Sequence, residues 1–270
     1  MKLSVDVPET TLLNTPKRRW WLEVLIVLGF YVGYSMVRNI FGSASVSPRV
    51  AFDNAERIID FEQALGLFQE ERIQQWFGNN RLFFQFWNIF YGTLHFAVTI
   101  FSMVYLFFRV PQHYGKWRNT FATTTALALV GFATFPLMPP RLLNVGGEFG
   151  GTAFGGGSYS FVDSVAVHGG LWSFDSGTMQ SISNQYAAMP SLHAAWATWC
   201  AVSVIPYLTN RWGRRLLGLY PVLTLFAIVV TGNHYWIDAA FGLLILGIGF
   251  IFGSSLDRAL HNFATKTTPL

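Results

Sequence analysis

Six stretches of this chain are apolar over close to the roughly 20 residues that a helix needs to cross a bilayer. They lie near 20–37, 82–108, 120–137, 191–208, 216–231 and 236–255. Backbone polar groups inside lipid must be satisfied within the spanning structure, and an open chain of this pattern does that by forming helices. The chain therefore reads as all-α: a polytopic membrane protein, a six-transmembrane-helix bundle in a single domain over 1–270. Only 12% of residues are charged, against about 25% in soluble domains, which excludes an ordinary soluble enzyme. Cys200 is the only cysteine, so no intrachain disulfide can form. A polar tail over about 1–19 precedes the first apolar run. That run is too long for a cleaved signal peptide and lacks a small-residue cleavage site.

Basic residues set the expected orientation. Lys17, Arg18 and Arg19 precede the first run, and Arg109, Lys116 and Arg118 separate the second from the third. Arg211, Arg214 and Arg215 separate the fourth from the fifth, and Arg258 and Lys266 follow the sixth. All fall on one side, which the positive-inside rule makes cytoplasmic, with both termini there. The first loop on the opposite side is the exception, with five arginines against six acids. The net charge of +4 sits beside apolar runs, as expected for topology signals and anionic lipid contact rather than nucleic-acid binding.

Two segments on the opposite side are not spans. Residues 51–77 place Ile58, Ile59, Phe61, Leu65, Leu67 and Phe68 among charged residues. They read as an external amphipathic helical segment, broken near Gly66, on the surface or packed on the spans. Residues 141–186 form a long Gly-rich loop. Loops of that length are more often functional than not, and a lid, a substrate-access wall and a plain external loop all stay open.

Two histidine motifs open apolar runs on that side: Met189-Pro190-Ser191-Leu192-His193 and Gly232-Asn233-His234-Tyr235-Trp236-Ile237-Asp238. Residues four apart share a helix face, so His234 and Asp238 can pair. An imidazole whose other nitrogen donates to a carboxylate is a good nucleophile toward phosphorus. Seen alone, such a pair serves as well as a structural surface contact, but ionisable groups are costly at a membrane. Pro190 suits a first helical turn. Ser191 and the amides of that turn make an anion site at the positive end of the helix dipole, with His193 placed to donate a proton to a leaving oxygen. Pro-Ser-x-His alone would mark only a helix start. Arg141, after Pro139-Pro140, is the only Lys or Arg in its loop. It reads equally as a phosphate partner or an interfacial head-group contact. Asn233 and Tyr235 flank the nucleophile and suit phosphate binding or the interface alike. Asn184 and Gln185 suit capping of the fourth span or head-group contact. Asn88, Tyr91 and His95 fall at helical spacing, where interhelical hydrogen bonding is expected. Together the set points to phosphoryl transfer through a phosphohistidine, with no metal and no cofactor.

Pro-Ser-x-His followed about 40 residues later by His-x-x-x-Asp, each opening a transmembrane helix, resembles the type 2 phosphatidic acid phosphatase (PAP2) superfamily. The strings FPLMPPRLL, NQYAAMPSLHAAWA and TGNHYWIDAAFG look like its inositol phosphorylceramide synthase-like (Aur1-type) branch, common in bacteria. The likeness runs from about Asn54 to Gly242, with the core motifs near 134–242. By resemblance His234 with Asp238 is the nucleophile and His193 the acid; Arg141, Ser191, Asn233 and Tyr235 are the phosphate-binding candidates read from the residues themselves. The implied partners are a phospholipid donor, an alcohol or water acceptor and a bacterial cell membrane.

The departures bear on substrate. Where the phosphatases have lysine, this chain has Thr134; Ala227-Ile228 stands for Ser-Arg, and Leu192 for glycine. Two cations expected around a phosphate dianion are missing, unless Arg38 stands in for one. A phosphodiester lipid, whose phosphate carries a single charge, is therefore the expected donor. A lipid phosphomonoester phosphatase is the near alternative. A metal-dependent hydrolase using His193, His234 and Asp238, and a non-catalytic lipid-binding or transport protein, are the alternatives of other classes.

Overall fold

Short polar side chains decide where the helices begin. The structure is a computed structural model that describes residues 20–171 and 183–267, the last eight by backbone alone. The polar tail 1–19 with Lys17, Arg18 and Arg19, part of the Gly-rich loop and the Lys266 side chain lie outside the described residues. Ser47 caps α2 (Pro48–Ala64), Asn80 caps α4 (Arg81–Ile89) and Asp163 caps α8 (Ser164–His168). Ser191 caps α9 (Leu192–Val204), and Asn210 caps α10 (Arg211–Val230). In each case a side-chain oxygen accepts from an otherwise unpaired amide of the first turn. The other helices are α1 (Trp20–Phe41), α3 (Glu70–Trp76), α5 (His95–Arg109), α6 (Pro111–Thr134), α7 (Pro140–Leu143) and α11 (Trp236–Thr267). A π-helical turn, Phe90–Leu94, joins α4 to α5 without a break. The described residues are all-helical, with no strand.

Four of these helices are long and apolar enough to cross a membrane: Trp20–Phe41, Arg81–Arg109, Arg211–Val230 and Trp236–Ala259. The other two expected spans differ in a physical way. Helix α6 starts at Pro111, earlier than the sequence suggests, and so takes Lys116, Arg118 and Asn119 into its first turns. Helix α9 is 13 residues long and ends in a single 3-10 turn, Ile205–Tyr207. Its burial against other helices, with Trp199 and Cys200 fully enclosed, stands in place of lipid contact.

Helix α11 lies along α6 because small residues let their backbones meet. On α11, Gly249 and Gly253 form a Gly-x-x-x-Gly face, and a Cβ at either would strike Thr120 or Thr124 of α6. Close approach of this kind is how helices associate where no hydrophobic drive exists. Helix α1, by contrast, has no buried residue, so its apolar surface is free for lipid.

The expected amphipathic segment is present, split into α2 and α3 by a turn at Gly66 in the left-handed region (φ 69°). It is packed rather than superficial: Ala51, Phe52, Ala55 and Ile59 are fully buried or nearly so, in one cluster with Leu143, Phe161 and Tyr186. The strand-like stretch after α6 threads through this cluster. There Leu137 N donates to Tyr186 O (2.9 Å) and Met138 N to Ala51 O (3.1 Å). This threading brings the Pro-Pro-Arg motif back to the mouth of the bundle.

Candidate active site

Helices α9 and α11 both start at the same end of the bundle, and α10 finishes there. A tight turn joins α10 to α11. Asn233 N and His234 N both donate to Ile228 O (2.9 and 3.1 Å), with Gly232 at φ 70°. A Cβ at Gly232 would press on Arg141 and Gln74, so glycine is needed there for both conformation and space. Arg141 N donates to Gly232 O (2.7 Å), tying α7 to this turn.

In the turn just before α11, His234 Nδ1 lies 3.2 Å from Oδ2 of Asp238 in the first turn of that helix. The pair thus spans the helix start instead of sharing a helix face. Asp238 Oδ2 also accepts from Tyr235 N (2.9 Å). Asp238 is fully buried. With the carboxylate ionised, Nδ1–H donates to it, and Nε2 keeps its lone pair for an electrophile. The His193 ring faces His234, with centroids 5.6 Å apart. The carbonyl of Asp238 accepts from Ser191 N (2.9 Å), and a Cβ at Gly242 would meet the Ser191 backbone. The starts of α9 and α11 are thus locked together, which fixes the two histidines relative to each other.

Arg141 is buried, and among the described residues its guanidinium reaches partners from three segments. It donates to Asn233 Oδ1 (3.1 Å), Asp163 Oδ2 (2.6 Å) and Gln185 Oε1 (2.6 Å). Its charge is therefore balanced by Asp163, a residue that sequence alone did not single out. Asn233 also donates to Thr231 Oγ1 (2.8 Å), so it orients Arg141 beside His234.

The structure brings His193, His234, Asp238, Ser191, Asn233 and Arg141 to one end of the bundle, and revises several details. Pro190 precedes the cap of α9 instead of entering its first turn, and the Ser191 hydroxyl accepts from Ala194 N (3.3 Å). Tyr235 is fully buried and its hydroxyl donates to Met138 O (3.1 Å), a packing tie that directs it away from a head group. Asn184 and Gln185 do not cap α9. Asn184 Oδ1 accepts from Ser43 N (3.0 Å), and Gln185 serves Arg141, so together they join the end of α1 to the site. There Arg38 donates to Ser183 O (2.9 Å).

Some neighbours escaped the sequence. Asn88 does make inter-segment hydrogen bonds, to Ser164 O and Gly169 O (3.0 and 2.8 Å). Tyr91 and His95 instead pack on His193, with centroids at 4.3 and 4.2 Å. The π turn between α4 and α5 aims them, a distortion frequent at functional sites. A histidine inside an apolar run was the available signal. Glu62 and Glu70 are both fully buried at the start of α11: Ile237 N donates to Glu62 (2.8 Å) and Trp236 N to Glu70 (3.1 Å). For Glu62 the available signal was an acid four and three residues from Ile58 and Ile59, on the apolar face of the amphipathic segment; Glu70 has no such mark. Among the described residues no three His, Cys, Asp or Glu side chains group as metal ligands.

A family model described as PAP2 superfamily matches residues 56–252, which include every residue of this site. No curated protein and no solved structure matches the chain.

Proposed function

The chain belongs to the PAP2 superfamily, and on that premise we propose that it is a membrane lipid phosphotransferase of the inositol phosphorylceramide synthase-like kind, working through a phosphohistidine. Membership itself supports a phosphatase or phosphotransferase type of activity. The observation that carries the finer reading is the facing pair, His193 and His234 at 5.6 Å, with Asp238 backing His234 at 3.2 Å.

His234 Nε2 attacks the phosphorus of the donor, and the P–O bond to the leaving alcohol breaks. His193 gives that oxygen its proton. The imidazolium formed at His234 is stabilised by Asp238, which stays ionised. An alcohol or water then attacks the phosphorus from the vacated side. His193 takes back a proton and His234 is released. Arg141 and the amides at the start of α9 stabilise the phosphoryl oxygens as charge builds on them.

The donor is a phosphodiester lipid. Two family cations are replaced by Thr134 and Ile228, and the charge of Arg141 is already matched by Asp163 at 2.6 Å. Such a site suits one negative charge better than two. All six long helical segments cross the membrane, with α6 and α9 shielded by the other four. Both termini are cytoplasmic and the site opens on the other face. The support is the basic set Lys116, Arg118, Arg211, Arg214 and Arg215 at the end of the bundle remote from the histidines, following the positive-inside rule.

The test is lipid-product and phosphate analysis of purified wild type and His234→Ala, given a phosphatidylinositol-type diester with and without alcohol acceptors. A new phosphorylated lipid, absent with the variant, is the expected result. Free phosphate from monoesters alone would move the protein to the phosphatases, chelator-sensitive turnover to the metal hydrolases, and function retained by His234→Ala to a non-catalytic role.

A further inference from the structure

Helix α11 carries the nucleophile's partner in its first turn, and the amides around its start are held by acids, one local and two distant in sequence. Tyr235 N donates to Asp238 (2.9 Å), Trp236 N to Glu70 Oε1 (3.1 Å) and Ile237 N to Glu62 Oε1 (2.8 Å). Glu70 Oε2 accepts from Gln69 N (2.9 Å) within its own segment. The remaining oxygen, Glu62 Oε2, is buried with no donor facing it, while the Glu70 carboxyl lies within side-chain hydrogen-bonding reach of Glu62. Two ionised carboxylates so placed, sealed from water, repel strongly; a single proton on Glu62 Oε2 turns the contact into an O–H donating to Glu70.

We propose that Glu62 and Glu70 share one proton as a positioning pair for the start of α11, and that His234 and Asp238 stay aligned for transfer only while the pair holds it.

The groups facing the pair from every packed element are acidic or neutral. Glu70 comes from α3, Asp238 from α11, and the Tyr235 hydroxyl from the turn before it. The nearest charges of α2 and α3 on the outer side, Glu56, Arg57, Asp60 and Arg72, are exposed. Burial, then the neighbouring Glu70, push the Glu62 carboxyl up from its ordinary 4.5 to about 9. The sign follows by linkage. Between those two values the folded protein holds a proton that the unfolded chain has lost. Stability contributed by the pair is therefore full at acid pH and drains away as pH rises toward about 9. Glutamine at position 62 mimics the protonated carboxyl: its oxygen still accepts from Ile237 N, and its amide donates to Glu70.

The experiment uses the full chain in detergent micelles: wild type, Glu62→Gln and Glu62→Ala, melted across pH 5–10 and assayed with phosphatidylinositol in mixed micelles. The melting temperature of wild type should fall as pH rises toward 9, while that of Glu62→Gln stays level. Glu62→Ala should lose about tenfold or more in rate, and Glu62→Gln should recover most of that loss and extend activity to higher pH. Melting profiles that run parallel, or a glutamine variant as slow as alanine, would overturn the proposal. Its rate arm rests on the phosphotransfer reading. The melting arm needs no turnover, so an inactive wild type would defeat that reading and still leave the pair tested.

Discussion

The two ends of the bundle handle charge in opposite ways. At one end Arg211 and Arg215 lie over the Trp212 ring and Lys116 lies between Trp117 and Phe250. Apart from Phe250 these rings are sequence neighbours. Among the described residues the cross-helix ion pair there is Arg118 with Glu23 at 3.0 Å, about a fifth exposed. At the other end the charged groups of the site itself are buried, and their partners come from far along the chain. Arg141 reaches Asp163, Gln185 and Asn233, while Glu62 and Glu70 reach Ile237 and Trp236. Charge that only marks a membrane boundary needs water and lipid head groups beside it. Charge that must act on phosphorus needs fixed direction, and only a closed network of hydrogen bonds supplies that in a water-poor site.

Substitutions should separate the two ends sharply. The largest effect is expected from His234→Ala, which removes the proposed nucleophile. Turnover should fall on the order of 10⁴-fold or more, read as phosphorylated lipid product per minute. A residual rate within tenfold of wild type would break the comparison, because the buried end would then be structural. His193→Gln should lower the rate by about 10²–10⁴-fold. That loss should shrink for a donor with a more acidic leaving alcohol, which needs less proton donation. Equal losses for both donors would take the acid role from His193.

Arg141→Ala leaves Asp163 buried beside an empty space, so it should cost about 3–5 kcal/mol in unfolding free energy as well as activity. Arg141→Lys keeps the charge but not the fork, and should restore stability only in part. At the opposite end Arg118→Ala should change stability by about 0–1 kcal/mol, less at high salt, and leave turnover intact. A loss there as large as that of Arg141→Ala would erase the contrast between the two ends.

The same contrast explains how far the sequence could be read. His193, His234 and Asp238 were legible because each pairing or dipole argument is local: four residues along a helix, or a serine at a helix start. The split amphipathic segment was legible from its stripe and from Gly66. Asp163, Glu62 and Glu70 were not, because an acid in an otherwise ordinary amphipathic stretch has meaning only once another segment lays its amides against it. Tyr91 and His95 were placed on one face, but the π turn that aims them at His193 has no mark in the residue pattern. For Tyr235 the sequence leaves phosphate binding and the interface equally open, because nothing local shows that Met138 comes back to take its hydroxyl.

Hydrophobic length and residue-by-residue spacing determined by themselves that the chain is helical, that it belongs in a membrane, and that two histidines and an aspartate open helices on shared ground. These follow from forces acting within one helix turn or across one apolar run. Tertiary structure alone decided which acid balances Arg141, which carboxyls hold the start of α11, and that α9 is a short enclosed helix while α6 gathers polar residues at its start. Those outcomes depend on backbones meeting across distances of many tens of residues. Close approach there is set by glycines such as Gly232, Gly242 and Gly253 meeting a particular neighbour, and no local pattern carries the neighbour's identity.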